Sequence, residues 1–349
     1  MSISRRDLMK WAAITGGFQL IPPLAWANNA LQLEKKKITI AVGGKAIIYY
    51  LPLSIAEING YFKDEGLDVK VVDFAGGSRA LQAVVGGSAD VVSGAFEHTI
   101  NLQSKGQFYR SIVQQGRAPM IVLGVSNKTM PNYQSPQDLK GKKIGVTAPG
   151  SSTNMMVNFF LDKHGLKPSD VSFIGVGGGA GAVTAVRTGQ VDAIANLDPV
   201  IGTLMENEEL TIIADTRTLK DTQAIFGGNM PSGCLYVSQR FIDQNPNTTQ
   251  ALVNAMVRAN QWIHRVSPEE IAQTVPTSYL LNNPELYIQG LKSNLEALSP
   301  DGYMDEDGPA TALHAMSAFA TNLDKSQINT DKLWTNEFVE AAVKKYSNG

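Results

Sequence analysis

From residue 38 onward, short apolar runs alternate with stretches whose apolar positions recur at helical spacing. Residues 38–42 and 67–73 predict strands, and residues 52–60 between them predict a helix. Such alternation is typical of an α/β fold, in which parallel strands are buried between helices. The same criteria predict further strands at residues 108–115, 120–125 and 211–214, and helices at residues 248–265, 284–298 and 309–323.

One strand-turn-helix unit occurs twice in the chain. In the first copy, Gly76-Gly77-Ser78 opens a helical pattern that ends at Gly87-Ser88-Ala89-Asp90. In the second copy, Gly178-Gly179-Ala180 opens the helix, and Gly189-Gln190-Val191-Asp192 ends it. The glycines and the aspartates fall in register, which predicts two lobes of similar fold, although unrelated units of this kind also favour these residues.

Two crossings between the lobes are expected where polar turn formers cluster. Residues 127–136 predict the first crossing, and residues 226–231 predict the return. We therefore assign the chain as follows: lobe 1 at residues 28–125 and 230–349, and lobe 2 at residues 126–229.

Charge and composition exclude several functions. The chain has 349 residues, 43 % of them hydrophobic, and a net charge of -2, which suits a two-lobed globular protein. It lacks the basic stretches interleaved with aromatics that nucleic-acid binding needs. Its four histidines are scattered and its one cysteine, Cys234, lies in a predicted strand, so we predict no metal site, no disulfide, no cofactor and no catalytic residue.

The N-terminal residues have the pattern of an export signal. Arg5 and Arg6 directly precede an apolar run at residues 11–26, and Ala25-Trp26-Ala27 has the small residues that a signal peptidase recognises. We predict a twin-arginine signal peptide at residues 1–27, cleaved near Ala27, and a periplasmic mature protein. A membrane anchor is the alternative, but glycines and prolines interrupt the run.

Candidate ligand-binding residues follow the ends of the predicted strands. There, helix N-termini present free N–H groups and a positive dipole end, and glycines allow a ligand to approach the backbone. The hydroxyl side chains could equally cap helices, and the arginine could form a salt bridge. The candidates are Gly44, Lys45, Gly76, Gly77, Ser78, Ser93, Glu97, Arg117, Ser151, Ser152, Thr153, Gly178, Gly179, Asn196 and Asp198.

Two other interpretations of these residues are weaker. Residues 175–180 match the dinucleotide pattern G-x-G-x-x-A, but the motif is weak by itself and the first copy of the repeat lacks it. Glu97 and His98 could form an acid/base pair, but adjacent residues on a helix diverge. We interpret Glu97 as a ligand contact or a helix-start charge.

With these motifs, the chain resembles the substrate-binding proteins of ABC transporters of the nitrate, sulfonate and taurine type, grouped with the binders of thiamine-pyrimidine precursors. The resemblance rests on five segments: residues 53–69 with Gly60-Tyr61-Phe62-Lys63-Asp64-Glu65-Gly66-Leu67, the turn Gly76-Gly77-Ser78, residues 87–90, residues 139–146 with Leu139-Lys140-Gly141-Lys142-Lys143-Ile144-Gly145-Val146, and residues 189–193. It implies a two-lobed periplasmic binding protein fold of type II, with a ligand cleft that closes by a hinge.

The resemblance also implies what the protein does and with which partners. It implies a monomeric binding protein that is not an enzyme. Such a protein delivers a small solute to an ABC permease and its ATPase, and it contacts the membrane only through that permease. The solute would be a small anion, such as a sulfonate, nitrate or carboxylate, or a related polar molecule. Leu197 stands where the sulfonate binders have tryptophan. A pyrimidine-precursor binding or forming protein is the alternative, although the forming enzymes carry a cysteine-rich segment that this chain lacks.

Overall fold

The computed structural model describes residues 31–320 and 323–346, so the predicted signal peptide at residues 1–27 lies outside the described residues. The strands are β1 (Lys37–Val42), β2 (Asp68–Asp73), β3 (Val91–Ala95), β4 (Tyr109–Gln114), β5 (Val122–Ser126), β6 (Lys143–Val146), β7 (Ser172–Gly175), β8 (Ala193–Asn196), β9 (Leu210–Asp215) and β10 (Gly233–Ser238). The helices are α1 (Leu51–Ile58), α2 (Tyr61–Asp64), α3 (Gly77–Val85), α4 (Glu97–Gln103), α5 (Ser152–Lys163), α6 (Ala180–Arg187), α7 (Val200–Glu206), α8 (Leu219–Phe226), α9 (Gln239–Gln244), α10 (Pro246–Arg265), α11 (Pro268–Thr274), α12 (Pro284–Asn294), α13 (Gly308–Phe319) and α14 (Glu337–Tyr346).

The strands form two five-stranded sheets of the same design. The first sheet has the order β2-β1-β3-β10-β4, and the second has the order β7-β6-β8-β5-β9. In each sheet the first three strands are parallel, and the fourth is antiparallel to both of its neighbours. Helices cover the parallel strands. The α/β class and the two similar units predicted from the sequence are therefore confirmed.

The first crossing lies earlier in the chain than the sequence predicts. Strand β5 pairs with β8 and β9 of the second sheet, so the chain crosses at residues 115–121 instead of residues 127–136. The error has a physical reason: an apolar extended run does not reveal which sheet receives it. The return crossing, residues 227–232 between α8 and β10, lies near the predicted position.

The internal repeat extends to individual hydrogen bonds. Asp90 exchanges two bonds with Thr39 of β1: its backbone N–H donates to the Thr39 carbonyl, and its carboxylate accepts the Thr39 N–H, both at 2.9 Å. Asp192 forms the same pair with Lys143 at the start of β6, at 2.7 and 2.9 Å. Gly87 and Gly189 precede these aspartates with φ of 78° and 75°, a conformation that favours glycine.

Most of the apolar interior forms one cluster that includes residues of both sheets, and a smaller cluster lies beneath α6 and α7. Cys234 is fully buried in β10, as its strand pattern predicts. No helix within residues 31–320 and 323–346 has the length and hydrophobicity needed to cross a membrane.

The repeated aspartate bonds predict matched losses of stability. Asp90→Ala and Asp192→Ala should each lower the free energy of unfolding by about 1 kcal/mol, because each leaves a strand N–H without its acceptor. Asp68→Ala is the control, since Asp68 is exposed at the start of β2. Urea denaturation measures all three. Equal stability of Asp192→Ala and Asp68→Ala would contradict a structural role for this bond.

Candidate functional site

The glycine-rich turns of the two lobes meet directly. The Ser78 N–H at the start of α3 donates to Ser151 Oγ at 3.0 Å, and the Ser78 hydroxyl donates to the Pro149 carbonyl at 2.9 Å. Ser151 precedes α5, yet its hydroxyl does not cap that helix and lies instead against the first lobe. The turns that the sequence predicts to face each other are therefore brought together.

Glycines permit this approach. A Cβ atom on Gly76 would lie 2.6 Å from Ala148 Cβ, and one on Gly178 would lie 2.3 Å from Ile47 Cδ1. Real Cβ atoms do not come so close to other atoms, so Gly76 cannot carry a side chain in this arrangement, whereas a side chain at Gly178 would require the end of the Ile47 side chain to move. Gly179, next to Gly178, has open space around its Cα.

The remaining candidates at the start of α5 differ in what they contact. Thr153 is buried and lies within its own lobe, where its hydroxyl is 3.0 Å from the Thr147 N–H and 2.9 Å from Thr147 Oγ1. Asn154 accepts the Gly150 N–H at 2.9 Å, while its buried Nδ2 has no partner among the described residues. Ser152 is half-buried in the same turn.

The candidates after β1 are engaged within the first lobe. The backbone N–H groups of Gly44 and Lys45 both donate to Asp73 Oδ1, at 2.8 and 2.9 Å. The Lys45 ammonium forms an ion pair with Glu57. The free donors predicted at this strand end are therefore already paired with a carboxylate, and the lysine charge is balanced.

The second-lobe candidates Asn196 and Asp198 are buried and hydrogen-bonded to protein groups. Asn196 donates to the Gly177 carbonyl at 3.0 Å. Asp198 accepts the Gly202 N–H at 2.8 Å, accepts the Asn294 amide of α12 at 2.8 Å and lies 3.4 Å from Arg217. A buried carboxylate with these partners anchors the turn after β8.

Ser93 and Arg117 lie at the junction of the first sheet with the crossing. Ser93 is fully buried in β3 and accepts the Gln115 amide at 2.9 Å. Arg117 lies in the first crossing, where its guanidinium donates to the Glu296 carbonyl at 2.9 Å. With Gln114, Asn229, Tyr303 and other residues it lines a cavity of about 250 Å³. No contact between Arg117 and the paired turns is found among the described residues.

Glu97 and His98 diverge, as expected for adjacent helical residues. His98 Nδ1 lies 2.9 Å from the Tyr236 hydroxyl, and Nε2 lies 3.3 Å from the Gly150 carbonyl of the other lobe. Burial lowers the pKa of His98 to about 4, so the imidazole is neutral at physiological pH. The Glu97 side chain turns elsewhere, and its Oε2 has no partner among the described residues.

Glu97 lines a narrow cavity between the lobes. Its walls come from α4, both crossings, α5, the end of α8 and α13, and the other lining residues are Pro119, Ile121, Met155, Met156, Phe159, Phe226, Met230, Ala315, Met316 and Phe319. The volume is about 10 Å³, room for about one water molecule. Burial raises the pKa of Glu97 to about 7 because the charged form is deprived of solvent.

Several residues of this region are not among the candidates predicted from the sequence. The methionines and phenylalanines of the cavity are among them, because apolar residues on helices carry no local sign that they face a cavity. Tyr49 and Gln115 are buried, and their side-chain oxygens have no partner among the described residues. A polar-tipped aromatic just after the first strand was the available signal for Tyr49. Within the described residues, no group of His, Cys, Asp and Glu side chains has an arrangement that could hold a metal ion.

Comparison with protein families gives a match over residues 47–271, more than half of the chain, to the family described as NMT1/THI5 like. The chain belongs to this family. Its match begins at Ile47, which contacts the second lobe, and includes both crossings and the paired turns.

Solved structures with the same architecture include one of similar sequence and others of distant sequence. A protein of Bordetella bronchiseptica is 64 % identical, with a TM-score of 0.90 over 91 % of this chain and 100 % of that one. The alkanesulfonate-binding protein SsuA of Xanthomonas axonopodis pv. citri is 19 % identical, with a TM-score of 0.67 over 86 % and 98 %. The nitrate-binding protein NrtA of Synechocystis is 17 % identical, with a TM-score of 0.70 over 91 % and 90 %. The chain therefore has the periplasmic binding protein fold.

Curated relatives carry two kinds of name. The putative binding protein YtlA of Bacillus subtilis is 23 % identical over 84 % of this chain and 86 % of the relative. A 4-amino-5-hydroxymethyl-2-methylpyrimidine phosphate synthase of Candida albicans is 26 % identical over 66 % of this chain and 68 % of the relative. The relatives of this chain thus include one named as a binding protein and others named as enzymes.

The buried Glu97 carboxyl predicts a specific dependence of stability on pH. The folded state keeps a proton that the unfolded state releases between the ordinary pKa of 4.5 and the folded value of about 7. The free energy of unfolding should therefore fall as pH rises through this interval, by about 3 kcal/mol in total, and change no further above it. Glu97→Gln cannot ionise and should lack this fall.

Urea denaturation at about pH 5, 6 and 8 measures the free energy of unfolding of Glu97→Gln and of wild type, and the difference between the two at each pH reports the effect. His98 makes an opposite contribution, since its pKa is lowered to about 4, but it is present in both proteins and cancels. Glu285→Gln is the matched control, because Glu285 is an exposed glutamate in the first turn of α12. A difference that stays constant from pH 5 to 8 would show that Glu97 is not protonated in the folded state.

Proposed function

We propose that this protein is the solute-binding component of an ABC importer, which captures a small molecule between its two lobes and does not transform it. The observation that carries the proposal is the convergence of both lobes and both crossings on Glu97, whose buried Oε2 has no partner among the described residues. Buried polar groups normally have partners, so such atoms are suited to a ligand. The fold shared with SsuA and NrtA and the name of YtlA support the proposal.

The mechanism follows from the contacts between the lobes. A solute that touches both lobes stabilises the closed arrangement by its differential contacts. The Ser78–Ser151 and His98–Gly150 hydrogen bonds form only when the turns approach, so they add to that preference. Delivery would follow when a permease favours the open arrangement. The small anion predicted from the sequence as the solute, and the monomeric state, stay predictions.

Formation of a pyrimidine is the second candidate, since curated relatives are named as synthases. The chain offers little for thiol chemistry. Its one cysteine, Cys234, is buried in β10, and burial raises the pKa of its thiol to about 12. Mass spectrometry of a solute recovered from native protein after incubation separates the two functions: an unchanged solute supports capture, and catalytic conversion supports a synthase.

The contact at Gly76 predicts a variant that binds poorly without unfolding. Gly76→Ala places a methyl group against Ala148 of the other lobe, while φ of 176° is accessible to alanine. We expect closure to be hindered and the affinity for the native solute to fall by at least about tenfold. Gly179→Ala, with open space at the equivalent turn, is the control.

Calorimetric titration and small-angle X-ray scattering measure these effects. Wild type and Gly179→Ala should decrease in radius of gyration when saturated with the solute carried through native purification, whereas Gly76→Ala should not. Equal affinity and equal compaction in all three proteins would count against capture by lobe closure.

We also propose export to the periplasm by the twin-arginine route, on the basis of Arg5 and Arg6 before the apolar run at residues 11–26. Replacing both arginines by lysine should leave uncleaved precursor in the cytoplasm. Cell fractionation with immunoblotting measures this, and the control replaces Lys35 and Lys36 by arginine. Normal periplasmic accumulation of the twin-lysine variant would refute the proposed route.

A further inference from the structure

The cavity between the lobes has an unusual chemical composition. Its described lining contains four methionines and three phenylalanines, and Glu97 is its one ionisable residue. Thioether and aromatic side chains bind apolar bodies and adapt in shape, because methionine has three rotatable bonds and a polarisable sulfur. A carboxyl group in such surroundings is costly without a partner. The cavity therefore combines an apolar wall with one strong acceptor.

Glu97 is directed into this cavity and remains unsatisfied. Its side chain is 5 % exposed, and its Oε2 has no hydrogen-bond partner among the described residues. A nearby cation or donor would remove this penalty, because charge-assisted hydrogen bonds are among the strongest in proteins. The protein supplies no such group from the walls described above.

The basic side chains around the turns and the first crossing do not line this cavity. Lys45 pairs with Glu57, and Arg217 pairs with Asp215 at 2.6 Å and with Asp198. Arg117 donates to the Glu296 carbonyl and lines the separate cavity of about 250 Å³, and its buried Nε has no partner among the described residues. None of the described residues that line the cavity is a lysine, arginine or histidine. An anionic head group would thus meet the Glu97 carboxyl without a compensating charge, which is unfavourable in a buried site.

We infer that the solute is a nitrogen base with an apolar body, whose protonated nitrogen pairs with Glu97 while its body lies against the methionine and phenylalanine walls. This inference rests on the proposed capture function and names its class of solute. It differs from the small anion that the sequence predicts.

The origin of the walls explains how such a molecule would enter. Met155, Met156 and Phe159 belong to α5 of the second lobe, Glu97 belongs to α4, which packs on β4 of the first sheet, and Met316 belongs to α13, which packs on both α4 and α5. The cavity has room for about one water molecule in the arrangement described here, so the bound solute requires the walls from α4 and α5 to lie further apart than they do here while still contacting it. The preference for the closed arrangement then comes from contacts that a single lobe cannot make.

The inference is tested with two matched series of probes. Each series, one phenyl and one hexyl, carries an ammonium, an uncharged hydroxyl, a carboxylate or a sulfonate head group on the same body. Binding to full-length mature protein is measured by calorimetric titration, and thermal shift provides a second readout. Wild type is compared with Glu97→Gln and with the control Glu285→Gln.

We expect the ammonium members to bind wild type and Glu285→Gln at least about tenfold more tightly than the hydroxyl members, and the sulfonates to bind most weakly. Glu97→Gln should lose the preference for ammonium while retaining the hydroxyl members and its circular dichroism spectrum. A preference for ammonium that survives in Glu97→Gln, or tighter binding of sulfonate or carboxylate members, would overturn the inference and leave capture intact. Failure of every member to bind would count against both.

The pH dependence gives an independent check. Affinity for the ammonium members should rise between about pH 6 and about pH 8 in wild type, because Glu97 must ionise to form the pair. The neighbouring groups keep their protonation state in this range: burial lowers the pKa of His98 to about 4 and raises those of Tyr49, Tyr50, Tyr236 and Cys234. Glu97→Gln should show a flat profile, and an equal rise in that variant would overturn the assignment.

Discussion

The close approach of two glycine-rich turns is the constraint on which the rest of this structure depends. No side chain fits at Gly76 against Ala148, and one at Gly178 would displace the end of the Ile47 side chain. These contacts allow the Ser78 N–H to reach Ser151 and His98 to reach the Gly150 carbonyl. They also set the distance between α4 and α5, and hence the width of the cavity that Glu97 enters. The small residues at the contact between the lobes thus determine how closely His98, Ser151 and Glu97 approach the other lobe.

Most charged groups around the cleft stabilise the fold and are not available to a ligand. Asp73 satisfies the backbone after β1, Asp198 anchors the turn after β8 to α12, and Lys45 and Arg217 are balanced by carboxylates. Glu97 and Arg117 differ from these groups, because Glu97 Oε2 and Arg117 Nε are buried without a partner among the described residues, and Glu97 is the one that lines the cavity between the lobes. In a low-dielectric interior such a group dominates the local electrostatics, since water cannot screen it.

The curated relatives of this chain are named for two functions, binding and synthesis. The two functions make different demands on the cleft. Capture requires complementary contacts that favour closure, whereas catalysis requires groups positioned against a reacting bond. The apolar walls of the cavity and the neutral His98 suit capture. Cys234 is buried with a raised thiol pKa, so it offers no nucleophile for catalysis.

The sequence by itself determined the α/β class, the repeat from Gly76 to Asp90 and from Gly178 to Asp192, and the family, because these depend on local periodicity and on turns that need glycine. Tertiary structure decided that β5 joins the second sheet, since an apolar run pairs equally well with either. It also decided which candidates keep unpaired atoms: Lys45, Thr153 and Asp198 find protein partners, whereas Glu97 Oε2 and Arg117 Nε have none among the described residues. Hydrogen-bond partners distant in the chain leave no local pattern, so only the folded arrangement could assign them.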